Sequence, residues 1–218
     1  MKSQSSVFKM RLRLFGTWLV ATLVAAPASI VLHELAHYLA ALGLGFSEVR
    51  LHFSSVSYTE VGPFWDAFRN ESVASAERIA DVWKVGAVSL AGIAATWILA
   101  LAACMLAVRR DLTTFTGALL GAFALVSPLR GYTALSYIIE IRPNYPDAFP
   151  SFDEFQAAKA LGVPVDIFVV IGVLVVLVCW VVLSRKLKFD LLPIVPALAI
   201  GTVGGIVMWM LIGPHILA

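Results

Sequence analysis

Apolar residues in this chain run in long blocks separated by short polar segments. Five blocks stand out, at approximately Leu14–Leu44, Val82–Val108, Leu112–Ile139, Val165–Leu183 and Leu191–Leu217. Crossing a hydrocarbon layer of ~30 Å takes about 20 mostly apolar helical residues, so each block reads as a membrane span. The first would be ~46 Å long if wholly helical, and tilt or a kink at Pro27 accommodates the excess. The third is interrupted by Pro128 and Arg130, which predicts either a broken helix or a full span followed by a short interfacial piece.

Between the first two blocks the period changes. Val49, Leu51 and Phe53 alternate with polar neighbours, as do Val56, Tyr58 and Val61, which predicts a small β-hairpin over residues 47–61 lying against the membrane surface. Residues 62–81 read as a polar, partly helical connector. The loop 140–164 holds Pro143, Pro146 and Pro150, which disfavour regular structure. Asp153-Glu154 then opens a helix-forming stretch, Phe155–Leu161, that ends at Gly162 and Pro164, with Ser151 or Asp153 as its N-cap. No repeat or linker divides the chain. The expected fold is an all-α polytopic membrane protein of about five transmembrane helices with a small hairpin after the first, forming a single domain over residues 1–218.

Composition agrees with the pattern. Of 218 residues, 60% are hydrophobic and 14% charged, with a mean hydropathy of +0.89; an ordinary soluble domain carries about 25% charged residues. The positive charges are grouped. Lys2, Lys9, Arg11 and Arg13 precede the first span, Arg109 and Arg110 follow the second, and Arg185, Lys186 and Lys188 follow the fourth. Five spans put all three groups on one face, and the positive-inside rule makes that face cytoplasmic. The N-terminus is therefore expected in the cytoplasm, and the expected location is the plasma membrane of a prokaryote. Short juxtamembrane clusters of this kind, without interleaved aromatics, give no support to nucleic-acid binding. Ala25-Ala26-Pro27-Ala28 has the look of a signal-cleavage site, but the apolar run continues past it and cleavage is not expected. Cys104 and Cys179 lie inside spans without a C-x-x-C partner and read as packing residues.

One motif carries chemistry. Within the first span stand His33-Glu34-Leu35-Ala36-His37. Positions i and i+4 share a helix face, so both imidazoles can be aimed at one ion, while Glu34, turned ~100° away, is placed to reach a water on that ion. Zinc with three protein ligands and one open position lowers the pKa of bound water to ~7, and a neighbouring carboxylate can act as general base. Random placement of these residue types would yield only about 0.002 such motifs in the chain. Three ionisable groups within five residues of a membrane span also need a common explanation, because each costs ~2.5–3.5 kcal/mol or more if unpaired there. The plain alternatives are histidines bonded to neighbouring helices beside a protonated glutamate, and a metal site without catalysis. The third ligand must come from elsewhere in the chain. On the same face stand Asp147, Asp153, Glu154, Glu140 and His52, and Asp153 can serve as either ligand or helix cap.

These residues resemble the site-two protease family of intramembrane zinc metalloproteases. The H-E-x-x-H helix followed by a hairpin is similar to that family's first core helix and the strands after it. Leu90-Ala91-Gly92-Ile93-Ala94-Ala95-Thr96 resembles its Ala-Gly-Pro-x-x-Asn stretch, with Ile93 and Thr96 replacing Pro and Asn. Phe152-Asp153-Glu154 resembles its aspartate region, with Glu154 in place of the usual Gly. The resemblance spans roughly residues 20–165. It implies Zn²⁺ held by His33, His37 and Asp153 (or Asp147), Glu34 as catalytic base, and Gly92 and Thr96 at the substrate. It further implies a membrane protein or peptide substrate whose helix unwinds and pairs with the hairpin 47–61. Known members hold zinc nearer the cytoplasm, whereas the charges here favour the outer side. Two other functions compete: a zinc hydrolase of a small lipid or prenyl-peptide, and a transporter or metal-handling protein. A transporter would repeat His or acidic residues along several spans, and here the other spans carry little beyond Asp166, Asp190 and His215 near their ends.

Overall fold

The computed structural model describes residues 4–70, 72–130, 152–187 and 191–217. In chain order these form α1 (Gln4–Gly43), a hairpin of β1 (Arg50–Leu51) and β2 (Val56–Ser57), α2 (Val61–Asn70), α3 (Val73–Glu77), α4 (Val82–Val108), α5 (Phe115–Val126), a 3₁₀ turn (Ser127–Arg130), α6 (Asp153–Leu161), α7 (Val165–Lys186) and α8 (Ile194–Ile216). Four of the helices, α1, α4, α7 and α8, are long and apolar enough to cross a membrane. The chain is thus an all-α, multi-pass integral membrane protein with one two-stranded sheet among its described residues.

The third expected span differs from the other four. Its described part is the 12-residue helix α5, only ~18 Å long. The helix gives way to the 3₁₀ turn at Ser127-Pro128, where proline has no N–H to offer the carbonyl four residues back. The remainder of that block, residues 131–139, lies outside the described residues. At the other end Thr114 caps α5, accepting a hydrogen bond from the Gly117 N–H. Trp18 of α1 secures the same turn by donating its indole N–H to the Leu112 carbonyl at 3.1 Å.

Contacts divide the chain into two compact units, each assembled from three separate stretches. The first comprises Met1–Ile30, Trp97–Pro128 and Leu174–Ile212. Its core is built on Trp18, Leu125, Cys179, Leu183 and Ile194, with small residues such as Ala21, Ala100 and Ala122 between them. Cys104 and Cys179 are buried thiols in this core. The small residues are what let the helices close up. A Cβ built on Gly201 of α8 would lie 2.6 Å from Thr22 Cβ and 3.0 Å from the Leu19 carbonyl oxygen, and one on Gly205 would lie 3.0 Å from the Leu23 carbonyl oxygen. Gly201 and Gly205 are one turn apart, so α8 presents a G-x-x-x-G face directly to the backbone of α1. Pro27 stands inside α1 without ending it. It cannot donate to the Leu23 carbonyl, and Gly205 packs against that bare segment, also meeting Pro27 Cδ at 3.2 Å from the same built Cβ position.

The second unit comprises Val31–Thr96, Leu129–Val173 and Gly213–Ala218. After α1, Gly45 (φ +80°) turns the chain into the expected hairpin, which pairs Arg50 with Ser57 and Leu51 with Val56. Its turn is closed by the His52 N–H donating to the Ser55 carbonyl at 2.8 Å, and the Phe53 N–H donates to the Leu217 carbonyl at 3.1 Å. The connector is helical, as α2 and α3, and less polar in effect than its composition suggests. Phe64 and Trp65 of α2 are buried in a cluster with Ala76 of α3 and Val85 of α4. Helix α6 ends as expected at Gly162, in the left-handed region (φ 67°), which glycine adopts without steric cost.

Two glycines give a paired test of the packing. A side chain on Gly117 would collide with the Asp111 carbonyl oxygen, which belongs to backbone, whereas a Cβ on Gly16 meets nothing within 4 Å. Gly117→Ala is expected to destabilise the detergent-solubilised protein by about 1–3 kcal/mol, and Gly16→Ala to be neutral or stabilising by up to ~1 kcal/mol. Thermal unfolding of the two variants beside the wild type checks both signs.

Candidate metal centre

Helix α1 brings His33 and His37 to one face, and both are buried, at 4% and 5% exposure. Their Nε2 atoms lie 2.9 Å apart. The third member is Asp153, whose Oδ2 is 2.8 Å from His33 Nε2 and 3.3 Å from His37 Nε2. Asp153 is the first residue of α6, and the helix is preceded by Phe152, which provides no side-chain cap. Asp153 is therefore not the helix cap, and its carboxylate faces the histidines at the positive end of a helix. Among the described residues, His33, His37 and Asp153 form a group able to hold a metal ion.

The far sides of the imidazoles decide what stands between the near sides. His37 Nδ1 is 2.7 Å from the Val88 carbonyl, an acceptor only, so Nδ1 carries the proton. His33 Nδ1 is 2.9 Å from Thr96 Oγ1, and that hydroxyl gives its own hydrogen to the Gly92 carbonyl at 2.7 Å. It can therefore only accept from His33. Both neutral imidazoles are thereby fixed with protonated Nδ1 and a lone pair on Nε2. Two nitrogen lone pairs and a carboxylate oxygen then converge at 2.8–3.3 Å, an arrangement that repels itself unless a cation sits among them. A proton on one Nε2 satisfies one edge of this triangle; a divalent ion satisfies all three.

The donor set fits such an ion. Tetrahedral ligands at ~2.0–2.1 Å stand about 3.3–3.4 Å apart, so the site opens by no more than about half an ångström to receive it. Orientation of ligand histidines by a hydroxyl and a backbone carbonyl is the usual arrangement around protein metals. To hold a metal, Asp153 would have to present its carboxylate in the anionic form.

Gly92 and Thr96, expected at the substrate, are placed against the His33 and His37 rings. A Cβ on Gly92 would overlap the His37 ring and lie 2.9 Å from His33 Nε2, so glycine is what lets α4 approach the imidazoles. Glu34 is buried and lines, with His33, His37 and Asp153, a cavity of about 270 Å³. Ser54, Ser55 and Tyr58 from the hairpin and Ser89, Glu154 and Gln156 from the helices line the same cavity. Burial, followed by the charge of Glu60, pushes the Tyr58 hydroxyl above its ordinary pKa, so it stays protonated as a donor. Ser89 and Gln156 are bonded to each other at 3.2 Å. Of the other ligand candidates, His52 is bonded to Ser57 Oγ in the hairpin at 2.8 Å, and Glu154 lines the cavity without joining the group of three. Asp147 and Glu140 lie outside the described residues.

Sequence reasoning gives no sign of the Val88 carbonyl, since a backbone acceptor leaves no trace in residue identity. The Thr96 hydroxyl does have a signal, lying one turn after Gly92 on the same face of α4. No protein-family model, curated protein or solved structure matches this chain, and the chemistry of the centre is carried by its own residues.

Removing the carboxylate tests the assignment. Asp153→Ala is expected to strip the metal from the purified protein while Asp147→Ala leaves it in place, read as metal content by mass spectrometry. Thr96→Val, which frees His33 Nδ1, is expected to weaken metal affinity about 10–100-fold in chelator competition.

Proposed function

We propose that the protein is a membrane-embedded zinc metalloprotease that hydrolyses peptide bonds within or next to the bilayer. The observation that carries this reading is the convergence of His33, His37 and Asp153 in a cavity that Glu34 also lines. Two imidazoles and one carboxylate are a ligand set suited to catalytic zinc, with a fourth position left for water or substrate. Zinc bound there supplies a Lewis acid that polarises a carbonyl and makes water acidic near neutral pH.

The remaining chemistry belongs to the chain. Glu34, one residue from His33 and so rotated off the ligand face, takes the proton from the attacking water and returns it to the leaving amine. Thr96 and Val88 hold the imidazoles in the tautomer that presents Nε2. Gly92 keeps α4 clear of the reacting centre. A peptide in a membrane helix has its carbonyls engaged in intrahelical hydrogen bonds, so it must unwind locally before attack, and exposed amides are costly in lipid. Ser54, Ser55, Tyr58 and Gln156 at the cavity offer polar partners to such an opened segment. The resemblance of the H-E-x-x-H helix, hairpin and aspartate to site-two proteases supports the same reading. The basic residues at the ends of α1, α4 and α7 support an N-terminus facing the cytoplasm.

Separation of binding from catalysis is the test. Glu34→Gln is expected to retain stoichiometric zinc and lose cleavage of fluorescent single-span peptides in liposomes by about 10²–10⁴-fold. His33→Ala is expected to lose both. Zinc retained by His33→Ala overturns the ligand assignment, and full cleavage by Glu34→Gln overturns the base. Zinc binding by wild type without cleavage of any peptide identifies a metal-binding membrane protein instead.

A further inference from the structure

A second cavity, lined wholly by residues of the first unit, has a volume of about 1110 Å³. Three stretches that the sequence marks as basic meet around it: the start of α1, the turn from α4 into α5, and the end of α7. Arg13 and Lys186 line it from separate helices, and both are exposed. Exposed Arg110 and Arg185 stand next in the chain to lining residues, and exposed Arg109 one position further. The one carboxylate in the lining, Asp111, accepts from the Thr113 N–H at 2.9 Å and the Thr113 hydroxyl at 2.8 Å, and the Lys186 charge acts on it more weakly than these bonds.

The rest of the wall is hydrocarbon. Met10, Val20 and Phe115 line the cavity and are each about half exposed. Along α1, Arg13, Thr17 and Val20 follow at i, i+4 and i+7, so one helix face passes from cation through hydroxyl to apolar surface. Gly16 forms part of the same lining, and a Cβ there would meet nothing within 4 Å. The missing side chain leaves open space between the charged and apolar ends.

We propose that this cavity binds an anionic phospholipid, with the headgroup phosphate between Arg13 and Lys186 and the upper acyl chain against Met10, Val20 and Phe115. A free phosphate would use the cations but has no use for the apolar wall. A zwitterionic lipid would use the wall, but its own ammonium offsets the attraction of the rim. Basic pockets between membrane helices are suited to acidic headgroups, each cation near the surface contributing about fivefold in affinity. Lipid bound here bridges the ends of α1, α5 and α7.

The test compares unfolding midpoints of the protein in nonionic detergent with added phosphatidylglycerol, phosphatidylcholine of the same chains, or inorganic phosphate. Phosphatidylglycerol is expected to raise the midpoint by about threefold more than phosphatidylcholine, and inorganic phosphate to leave it unchanged. The double variant Arg13→Gln/Lys186→Gln is expected to bind phosphatidylglycerol about thirtyfold more weakly, with fewer lipids retained in native mass spectra. Gly16→Leu, whose Cβ meets nothing within 4 Å and whose isobutyl group projects into the cavity, is expected to abolish the phosphatidylglycerol shift. Equal shifts with both lipids, a shift with phosphate alone, or phosphatidylglycerol binding that survives either variant overturns the proposal.

Discussion

Three lone-pair donors, His33 Nε2, His37 Nε2 and Asp153 Oδ2, meet within 2.8–3.3 Å of one another, with both imidazoles buried. In water such a cluster would relax by rotating apart. Here it is denied that route, because each imidazole is held from behind, by Val88 and by Thr96. Two local features of the second unit accompany this cluster. Helix α6 begins at Asp153 rather than a residue later, and α4 carries glycine where any side chain would strike the His37 ring.

Much of the fold was legible because the membrane simplifies the reading. Four apolar blocks became four long helices, since backbone groups in hydrocarbon have few alternatives to helical hydrogen bonds. The hairpin was legible from alternation at Val49, Leu51 and Phe53, although only two residues of each strand pair. The α5 segment was harder, because hydrophobicity does not report where a helix stops. Pro128 marked the break, but it took the structure to show a 12-residue helix ahead of it. Close packing of α8 on α1 had a visible sequence signal in Gly201 and Gly205, though the spacing alone does not name the partner helix.

The candidate site divides along similar lines. His33, Glu34 and His37 were legible because their spacing is set by one helix. Asp153 is 120 positions from His33, and sequence offered it the competing role of helix cap. A cap turns its side chain back onto its own helix, whereas Asp153 stands one residue inside α6 with Phe152 at the cap position, which leaves the carboxylate available outward. Gly92 and Thr96 were legible as small residues but not by role, since a small residue in a membrane helix is expected for packing whatever else it does.

The register of α4 shows why three such different residues occupy one face. Val88, Gly92 and Thr96 follow at i, i+4 and i+8, so they form a row two turns, or ~12 Å, long. His33 and His37 are a single turn apart on α1, with His37 bonded to the start of the row and His33 to its end. The chains therefore run in opposite directions, and the imidazoles lean toward each other over the middle position. That lean brings the Nε2 atoms to 2.9 Å, and it is possible only if the middle of the row has no side chain. A carbonyl at one end, a hydroxyl at the other and a void between them make a cradle whose parts are exchangeable in neither order nor spacing. Alanine at the centre would press both rings away, and exchanging the hydroxyl for a methyl would leave one ring without its partner. The preorganisation of the histidines is thus a property of α4 as much as of the helix that carries the motif.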